Sequence, residues 1–252
     1  MKLSVIIITK NGEPAVRRCL ESVAWADEIV VVDSGSTDRT VEICRELGAA
    51  VHQTPDWPGY GPQKNRALDR ASGDWVFSLD HDEWATPELR EEIGRSLAAP
   101  GDKAAFVMPR RSSFCGRFMR HSGWWPDHVT RLFRRGAARF SEDAMHERVI
   151  VQGPLGSLRH PIMHESVTDL DQMIVKMNSY SSASAAALNR QGHRASLATA
   201  MLHGWWAFTR TYFLRLGFLD GREGFMLAVA NAQGSYYKYL KLMLLSQGKR
   251  DQ

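Results

Sequence analysis

The chain has 252 residues, of which 44% are hydrophobic and 24% are charged, and its formal net charge is +4. These values are typical of a folded globular protein and exclude a disordered or fibrous chain. Residues 170–252 contain ten Lys and Arg against four Asp and Glu, so the positive charge is concentrated in the last third. Cys19, Cys44 and Cys115 lack CxxC spacing, which argues against a zinc site or a disulfide framework.

The N-terminal part of the chain alternates short apolar runs with helical patterns. Residues 3–8, 28–32 and 49–52 read as strands, and residues 14–23 and 40–47 read as the helices that follow the first two. Strands that alternate with helices at this spacing predict an α/β fold with a doubly wound, mostly parallel sheet flanked by helices. Because the N-terminus enters a strand without a signal sequence, we expect a cytoplasmic protein.

The apolar run 75–79 ends abruptly in acidic residues. Asp80, Asp82 and Glu83 follow it, and turn residues flank the whole segment. This pattern predicts a buried parallel strand that brings carboxylates to the edge of a sheet, where α/β proteins bind ligands. Asp80 and Asp82 would share a side in an extended segment and could face a hard cation such as Mg²⁺ or Mn²⁺. The alternative is an acidic loop that caps the helix after Pro87.

The middle of the chain is basic and aromatic. Residues 103–139 contain nine Lys and Arg and a single acid, Asp127, and Trp124 and Trp125 lie among them. We interpret this segment as a site for a phosphorylated or sugar-bearing partner. Nucleic acid is disfavoured, because no recognition helix, zinc finger or RNA-binding motif accompanies the moderate pI of about 9.0.

From Asp169 onward the pattern is helical. We expect a domain at residues 1–168 and a helical C-terminal extension at residues 169–252. Residues 197–219 are apolar and aromatic, but Arg210 and Arg215 would each cost about 2.5–3.5 kcal/mol at the centre of a bilayer. The segment therefore favours either peripheral contact with an anionic membrane or a helical subdomain that packs on the sheet.

Three strand ends together resemble a known family. Thr9-Lys10-Asn11, the acidic segment 33–38 and Asp80-His81-Asp82 occur in the order found in family 2 glycosyltransferases of the GT-A fold. Further segments resemble the subgroup of lipopolysaccharide inner-core β-glucosyltransferases: Gln63-Lys64-Asn65, residues 123–127, Arg131-Leu132-Phe133, His146-Glu147 and residues 219–225. The resemblance implies an inverting, metal-dependent hexosyltransferase that uses a UDP-sugar, with glucose as the expected hexose.

The resemblance also implies roles for the strand-end acids. Asp82 is the expected ligand of Mg²⁺ or Mn²⁺, Asp80 is placed toward the ribose or the water shell of the ion, and Asp33 is placed toward the nucleoside. A divalent ion at a diphosphate neutralises charge while the bond between sugar and phosphate breaks.

Position in the chain suggests further donor contacts. Thr9 and Glu13, at the end of the first strand, could line the base pocket. Lys64 and Arg131 could offset phosphate charge. The alternative for all four residues is an ordinary surface position.

The catalytic base is expected in the acidic segment 142–148. An inverting transfer requires a carboxylate close to the attacking hydroxyl, and Glu147 is the first choice, with Asp143 second. His146 could complete the metal shell as a neutral imidazole. The alternative for this segment is a structural ion pair of an acid with Arg148 or Arg139.

The favoured partners are a nucleotide-sugar donor and a saccharide or glycolipid acceptor, at the cytoplasmic face of the inner membrane. A nucleotidyltransferase is the runner-up, although Thr9-Lys10-Asn11-Gly12 is not a Gly-rich phosphate loop. A catalytically dead saccharide-binding module is a third reading. A glycosidase is disfavoured because its chemistry does not require the acidic cluster at 33–38.

Overall fold

A computed structural model describes residues 1–142 and 147–247. The strands are β1 (Leu3–Thr9), β2 (Glu28–Asp33), β3 (Ala50–Gln53), β4 (Trp75–Asp80), β5 (Glu83–Ala85), β6 (Ala105–Phe114), β7 (Arg117–Phe118), β8 (Asp127–Arg134), β9 (Ala138–Phe140), β10 (Val149–Val151), β11 (Leu155–Ser157) and β12 (Ile162–Val167). The helices are α1 (Glu13–Ser22), α2 (Thr40–Glu46), α3 (Tyr60–Leu68), α4 (Pro87–Ala98), α5 (Leu170–Arg190), α6 (Leu197–Thr209) and α7 (Gly221–Gln247). A π-helical turn, Arg210–Leu214, and a 3₁₀ turn, Gly217–Asp220, connect α6 to α7.

The main sheet has the order β3-β2-β1-β4-β8-β6-β12-β5, and β7 and β11 pair with β6. Strands β3, β2, β1 and β4 are parallel to their neighbours. Strand β8 then runs antiparallel to both β4 and β6, and β5 runs antiparallel to β12. The predicted fold class, an α/β sheet of GT-A type with helices and a helical C-terminal extension, is confirmed.

The central strands are apolar on both faces because helices or loops cover both sides of the sheet. Val5 and Ile7 of β1 belong to one buried cluster, and Ile6 and Ile8 belong to another. Successive side chains of a strand point to opposite faces, so an uninterrupted apolar run fills two cores at once. The polar residues that follow β1 and β4 therefore lie where each strand leaves the core, at the edge of the sheet.

The chain forms two compact units. The first consists of Met1–Arg111 and Asp127–His164, and the second consists of Ser112–Pro126 and Glu165–Gln252. The domains expected from the sequence, residues 1–168 and 169–252, stay a prediction. The compact units differ from them mainly because the segment Ser112–Pro126 belongs to the second unit.

The second unit is built on α5, α6 and α7, with a small core that includes Phe114, Met119 and Leu227. Asp169 caps α5 by accepting from the backbone N–H of Gln172 at 2.8 Å, and Ser196 caps α6. These caps satisfy backbone donors that a helix start leaves without partners. Within residues 1–142 and 147–247, no helix is both long enough and apolar enough to cross a membrane.

Candidate active site at the strand ends

The loops that follow β1 and β2 are hydrogen-bonded to each other. The backbone N–H of Gly12 donates to Oγ1 of Thr40 at 2.8 Å. Glu13 accepts from the backbone N–H of Arg39 at 3.0 Å. Because β1 and β2 are parallel neighbours, their loops leave the same edge of the sheet, and these bonds join them into one polar surface.

Asp33 shapes the loop after β2. Its carboxylate is fully buried and accepts from the backbone N–H groups of Gly35 and Ser36, both at 3.0 Å, and from the Ser36 hydroxyl. Gly35 has φ +80°, a left-handed conformation that glycine adopts without a steric penalty. The structure therefore shows Asp33 as the anchor of this loop, and its predicted contact with a nucleoside stays a prediction.

Thr9 is the last residue of β1, and the backbone of Gly12 lies very close to its side chain. A Cβ atom on Gly12 would lie 2.8 Å from Oγ1 of Thr9 and 2.7 Å from the ring of His81, so a larger residue would displace one of them. The Thr9 hydroxyl is buried and, in the part of the chain that the structure describes, lacks a hydrogen-bond partner. Buried hydroxyl groups are normally paired, so this one has an unmet hydrogen-bonding capacity.

Asp80, the last residue of β4, is held between two buried cations. Its Oδ1 lies 2.9 Å from Nζ of Lys64 and its Oδ2 lies 2.7 Å from a terminal nitrogen of Arg131. Lys64 is 2% exposed and Arg131 is 7% exposed, whereas Asp80 keeps 25% of its side chain open. Burial opposes ionisation of Asp80, but attraction to Arg131 and Lys64 outweighs it and holds the pKa of the carboxyl well below its usual value.

The network continues through residues to which the sequence analysis gave no role. Glu83 is fully buried and accepts from Arg131 at 2.8 Å and from Arg110 at 3.2 Å. Arg110 also pairs with Asp127 at 2.7 Å. The other Glu83 oxygen accepts from the backbone N–H of Asp80 at 2.9 Å, which fixes the end of β4. In this network of carboxylates and guanidinium groups each charge has a partner of opposite sign, which offsets the cost of removing it from water.

Asp82 lies in a turn, so Asp80 and Asp82 engage different partners. Strand β4 ends at Asp80 and β5 begins at Glu83, and His81 and Asp82 form the turn between them. Oδ2 of Asp82 lies 3.5 Å from Nε2 of His164, which β12 brings alongside β5. Burial raises the pKa of Asp82, but the hydrogen bond and charge of His164 outweigh it, and the net shift is downward.

His164 is a site residue that the sequence analysis missed. The only local signal was its place in the strand-like run of residues 162–164, and that run does not indicate which strand lies beside it. A carboxylate and an imidazole are both ligands that proteins use for divalent cations. Among the described residues, no group of three metal-ligating side chains converges, so Asp82 and His164 would supply part of a coordination shell.

Glu147 joins the same network from a separate segment. Its Oε1 lies 2.8 Å from Nζ of Lys64, and 22% of its side chain is exposed. The backbone N–H of Ser141 donates to the carbonyl of Arg148 at 2.8 Å, so Arg148, the residue after Glu147, is held beside Ser141. Gly61 of α3 permits this approach, because a Cβ atom there would lie 1.8 Å from the Ser141 carbonyl oxygen. Asp143 and His146 lie outside the described residues.

The buried thiol of Cys19 lies beside the strand-end acids, 3.5 Å from the carbonyl oxygen of Asp80. Burial raises the pKa of the Cys19 thiol well above its ordinary value, and the carboxylates of Glu83, Asp82 and Asp80 raise it further. The thiol is therefore a packing group and not a nucleophile.

The sequence-predicted residues thus lie at adjacent strand ends. Thr9 is the register partner of Asp33, and Ile8 is the partner of Asp80. The structure brings Lys64, Asp80, Arg131 and Glu147 into one ion-pair network, with Asp82 two residues beyond Asp80. Glu13, the first residue of α1, contacts the segment after β2 through the backbone N–H of Arg39.

Comparison with known proteins identifies the family of the chain. Residues 4–153 match the family described as Glycosyl transferase family 2. The chain is 33% identical to an uncharacterized glycosyltransferase of Rickettsia typhi, covering 99% of this chain and 89% of that protein. It is 31% identical to the lipopolysaccharide core biosynthesis glycosyltransferase LpsC of Rhizobium meliloti, covering 95% and 90%.

A solved structure shares the fold. The S. aureus protein TarS, residues 1–349, in complex with UDP-GlcNAc, has a TM-score of 0.50 with 18% sequence identity, over 100% of this chain and 92% of that one. The family match covers more than half of the chain, and the two relatives extend over nearly all of it. The chain is therefore a glycosyltransferase that belongs to family 2.

Proposed function

We propose that this glycosyltransferase moves a hexose, glucose from UDP-glucose, with inversion, to a saccharide of the lipopolysaccharide core or a related acceptor, and that it requires Mg²⁺ or Mn²⁺. The observation that carries the proposal is the pair of strand-end carboxylates. Asp80 is anchored by Lys64 and Arg131, and Asp82 faces His164. Each of the two carboxylates remains 25% exposed, so both can meet a ligand at the sheet edge.

The donor side of the proposal is supported by the loops after β1 and β2. Asp33 holds the second loop in place, and the Thr9 hydroxyl is an unused polar group beside it. We assign Thr9, Glu13 and Asp33 to the nucleoside and Asp80 to the ribose. TarS, which has this fold, was solved in complex with UDP-GlcNAc, in keeping with a UDP-sugar donor.

The donor diphosphate requires positive charge. Asp82 and His164 would hold the divalent cation, with His146 as a further candidate, and the cation when bound would neutralise the diphosphate as UDP leaves. The carboxylate oxygen fits such a hard ion, and the imidazole nitrogen fits Mn²⁺ better than Mg²⁺. Lys64 and Arg131 already pair with carboxylates, so we assign them to the electrostatic support of Asp80, with direct contact to phosphate as their second role.

The transfer itself is a single displacement. The acceptor hydroxyl oxygen forms a bond to the anomeric carbon, the bond from that carbon to the diphosphate oxygen breaks, and a carboxylate takes the hydroxyl proton. We assign this base to Glu147, with Asp143 as the alternative. The contact of Glu147 with Lys64 supports this choice, because the buried amino group that holds Asp80 also holds the Glu147 carboxylate in the same network.

The acceptor is proposed from the relative LpsC, which is a lipopolysaccharide core biosynthesis glycosyltransferase. Indole faces suit sugar rings, and arginines suit the acidic or phosphorylated sugars of such an acceptor. The basic and aromatic segment of residues 103–139 is the proposed contact. A cytoplasmic protein at the inner face of the membrane would meet a glycolipid acceptor of this kind.

Incubation with UDP-glucose and Mn²⁺ tests the proposal by the amount of UDP released. We expect release that EDTA abolishes and that added Mn²⁺ restores, and that increases when a saccharide acceptor is present. Metal-independent release would contradict the assignment of Asp82. Release with other UDP-hexoses but not with UDP-glucose would contradict only the assignment of glucose as the transferred hexose.

Two other functions are tested by companion measurements of pyrophosphate release and of glycan binding. A nucleotidyltransferase would release pyrophosphate from a nucleoside triphosphate and a sugar phosphate. A catalytically dead saccharide-binding module would bind glycan without turnover. If no nucleotide binds at millimolar concentration, both enzyme functions fail.

A further inference from the structure

Helix α6 buries its small residues. Ala200, Gly204 and Ala207 are buried and recur at helical spacing on one side. A Cβ atom on Gly204 would lie 3.2 Å from Cβ of Tyr236 and 3.3 Å from the carbonyl oxygen of Ala232, both on α7. Small side chains at this contact allow the two helix backbones to approach closely, a packing mode that is common between helices in lipid.

The large apolar side chains of α6 lie on its other side and are exposed. Trp205 is 66% exposed and Leu202 is 65% exposed. At 100° per residue, the exposed set covers about half of the helix circumference; it consists of Leu197, Met201, Leu202, Trp205 and Trp206. A surface helix of a globular protein normally turns its apolar stripe toward the core, so the polarity of α6 is reversed.

The exposed apolar residues continue beyond α6. Those that follow are Phe213, Leu214, Leu216, Phe218, Leu219 and Phe225. We call the exposed large apolar side chains of residues 197–225 the 197–225 apolar surface. Single exposed apolar residues are ordinary, but a concentration of this kind in one stretch marks an interaction surface.

The exposed charge around this surface is mainly positive, since Asp220 and Glu223, the acids of residues 197–225, are both buried. Residues 172–219 contain five Lys and Arg and neither Asp nor Glu. Arg194, Arg210 and Arg215 are exposed. Within the residues that the structure describes, none of these three arginines forms an ion pair with a carboxylate. Their charge is therefore available to an anionic partner.

We propose that the 197–225 apolar surface is the face by which the chain lies on an anionic lipid bilayer. Indole and phenyl rings bury their apolar parts at the level of the lipid headgroups, and neighbouring arginines meet the phosphates. The 13 residues of α6 are too few to cross the hydrocarbon core, which takes about 20 helical residues, so the helix lies in the plane of the interface. A second copy of the chain suits the surface less well, because a two-fold contact would bring one set of arginines against the other.

Vesicle flotation of the full chain tests this proposal without requiring transferase activity. Vesicles of phosphatidylcholine alone are compared with vesicles that also contain phosphatidylglycerol, at low and high salt. We expect binding to the anionic vesicles, weakened by salt. The double variant Trp205→Gln, Trp206→Gln should lower the partition coefficient by about tenfold or more, because binding scales with buried apolar area.

Two further variants make the result specific. Trp57→Gln changes an exposed tryptophan of the first unit and should leave the partition coefficient unchanged. Arg194→Gln combined with Arg210→Gln should remove the advantage of anionic lipid but retain the residual binding to phosphatidylcholine. The proposal is overturned if the wild-type chain binds neither vesicle at low salt or if the double tryptophan variant binds normally. It is also overturned if sedimentation of the wild-type chain shows a dimer and the double tryptophan variant is a monomer. The surface would then be a contact between two copies of the chain.

Discussion

The amino group of Lys64 lies 2.9 Å from Oδ1 of Asp80, and the lysine side chain is almost completely buried. Helix α3 is thereby attached to the end of β4, the strand that carries the acidic motif. The same amino group reaches Glu147 at 2.8 Å. One buried cation thus holds two carboxylates in place that come from distant parts of the chain.

Lys64→Met should destabilise the fold. It leaves two partly buried carboxylates without their shared partner, and breaking a buried ion pair in this way costs about 3 kcal/mol. Urea unfolding of wild type and variant measures the loss. Lys103→Met removes an exposed pair with Asp102 and should have little effect. If Lys64→Met and Lys103→Met unfold at the same urea concentration as wild type, the buried network does not support the site.

Asp82→Asn should lower transferase activity by orders of magnitude while the fold remains intact. The amide keeps the shape of the side chain but removes the charge that would face the cation. His164→Ala should raise the Mn²⁺ concentration needed for half-maximal activity, because one ligand is lost. His193→Ala, at an exposed position of the second unit, is the matched control. Normal turnover of Asp82→Asn at limiting Mn²⁺ would contradict the ligand assignment.

Glu147→Gln should abolish transfer to the acceptor and leave UDP-glucose binding intact. The amide keeps a hydrogen-bonding group near Lys64 but cannot accept the hydroxyl proton at neutral pH. Single-turnover assays and calorimetry separate the two effects. If Asp143→Asn blocks transfer and Glu147→Gln does not, the base is Asp143.

Asp33→Ala should weaken UDP binding by about tenfold or more, since one hydrogen bond to a charged group contributes about 1.5–3 kcal/mol. The variant also releases the N–H groups of Gly35 and Ser36, so the loop after β2 loses its anchor. Calorimetric titration with UDP measures the affinity. Asp102→Ala, at an exposed position, provides the control. An unchanged affinity in Asp33→Ala would remove this residue from the nucleoside site.

Glu92 predicts a pH dependence of stability. It accepts from the backbone N–H groups of Arg159 and His160, both at 2.9 Å, and from the His160 ring at 2.8 Å. Burial raises the pKa of Glu92, but these hydrogen bonds from His160 and Arg159 outweigh it and lower the pKa overall. They hold the turn that enters β12, the strand that carries His164.

The ionised Glu92 carboxylate therefore stabilises the fold above the unfolded pKa of about 4.3, and this contribution is lost as the pH falls through the lower, folded value. Glu92→Gln should reduce the free energy of unfolding by about 1 kcal/mol at pH 7. The difference from wild type should shrink toward pH 3. A difference that is independent of pH would show that the charge of Glu92 does not contribute.

Much of the first half of the fold could be predicted from local pattern. Apolar runs of strand length, followed by polar residues and helix starts, located the ends of β1, β2 and β4, and thus Thr9, Asp33 and Asp80. The reason is that side-chain periodicity and turn residues are properties of a few neighbouring positions. The predicted helices of the C-terminal part followed from the same kind of signal.

The partners of these residues could not be predicted in the same way. Glu83 was seen as one more acid of the motif, but its pairing with Arg110 and Arg131 depends on the positions of β6 and β8 in the sheet. His164 reaches Asp82 because β12 pairs with β5, a contact between segments far apart in sequence. The local sequence does not encode which strand lies beside which.

The sequence alone determined that this chain is a strand-and-helix protein with acidic strand ends and a basic, apolar C-terminal stretch. Only the tertiary structure decided that Lys64 is buried and pairs with both Asp80 and Glu147. It also decided that α6 exposes Trp205 and buries Ala200. The physical reason is the same in both cases. Burial of a charge or of an apolar ring depends on the segments that pack against it, and those contacts exist only once the whole chain has folded.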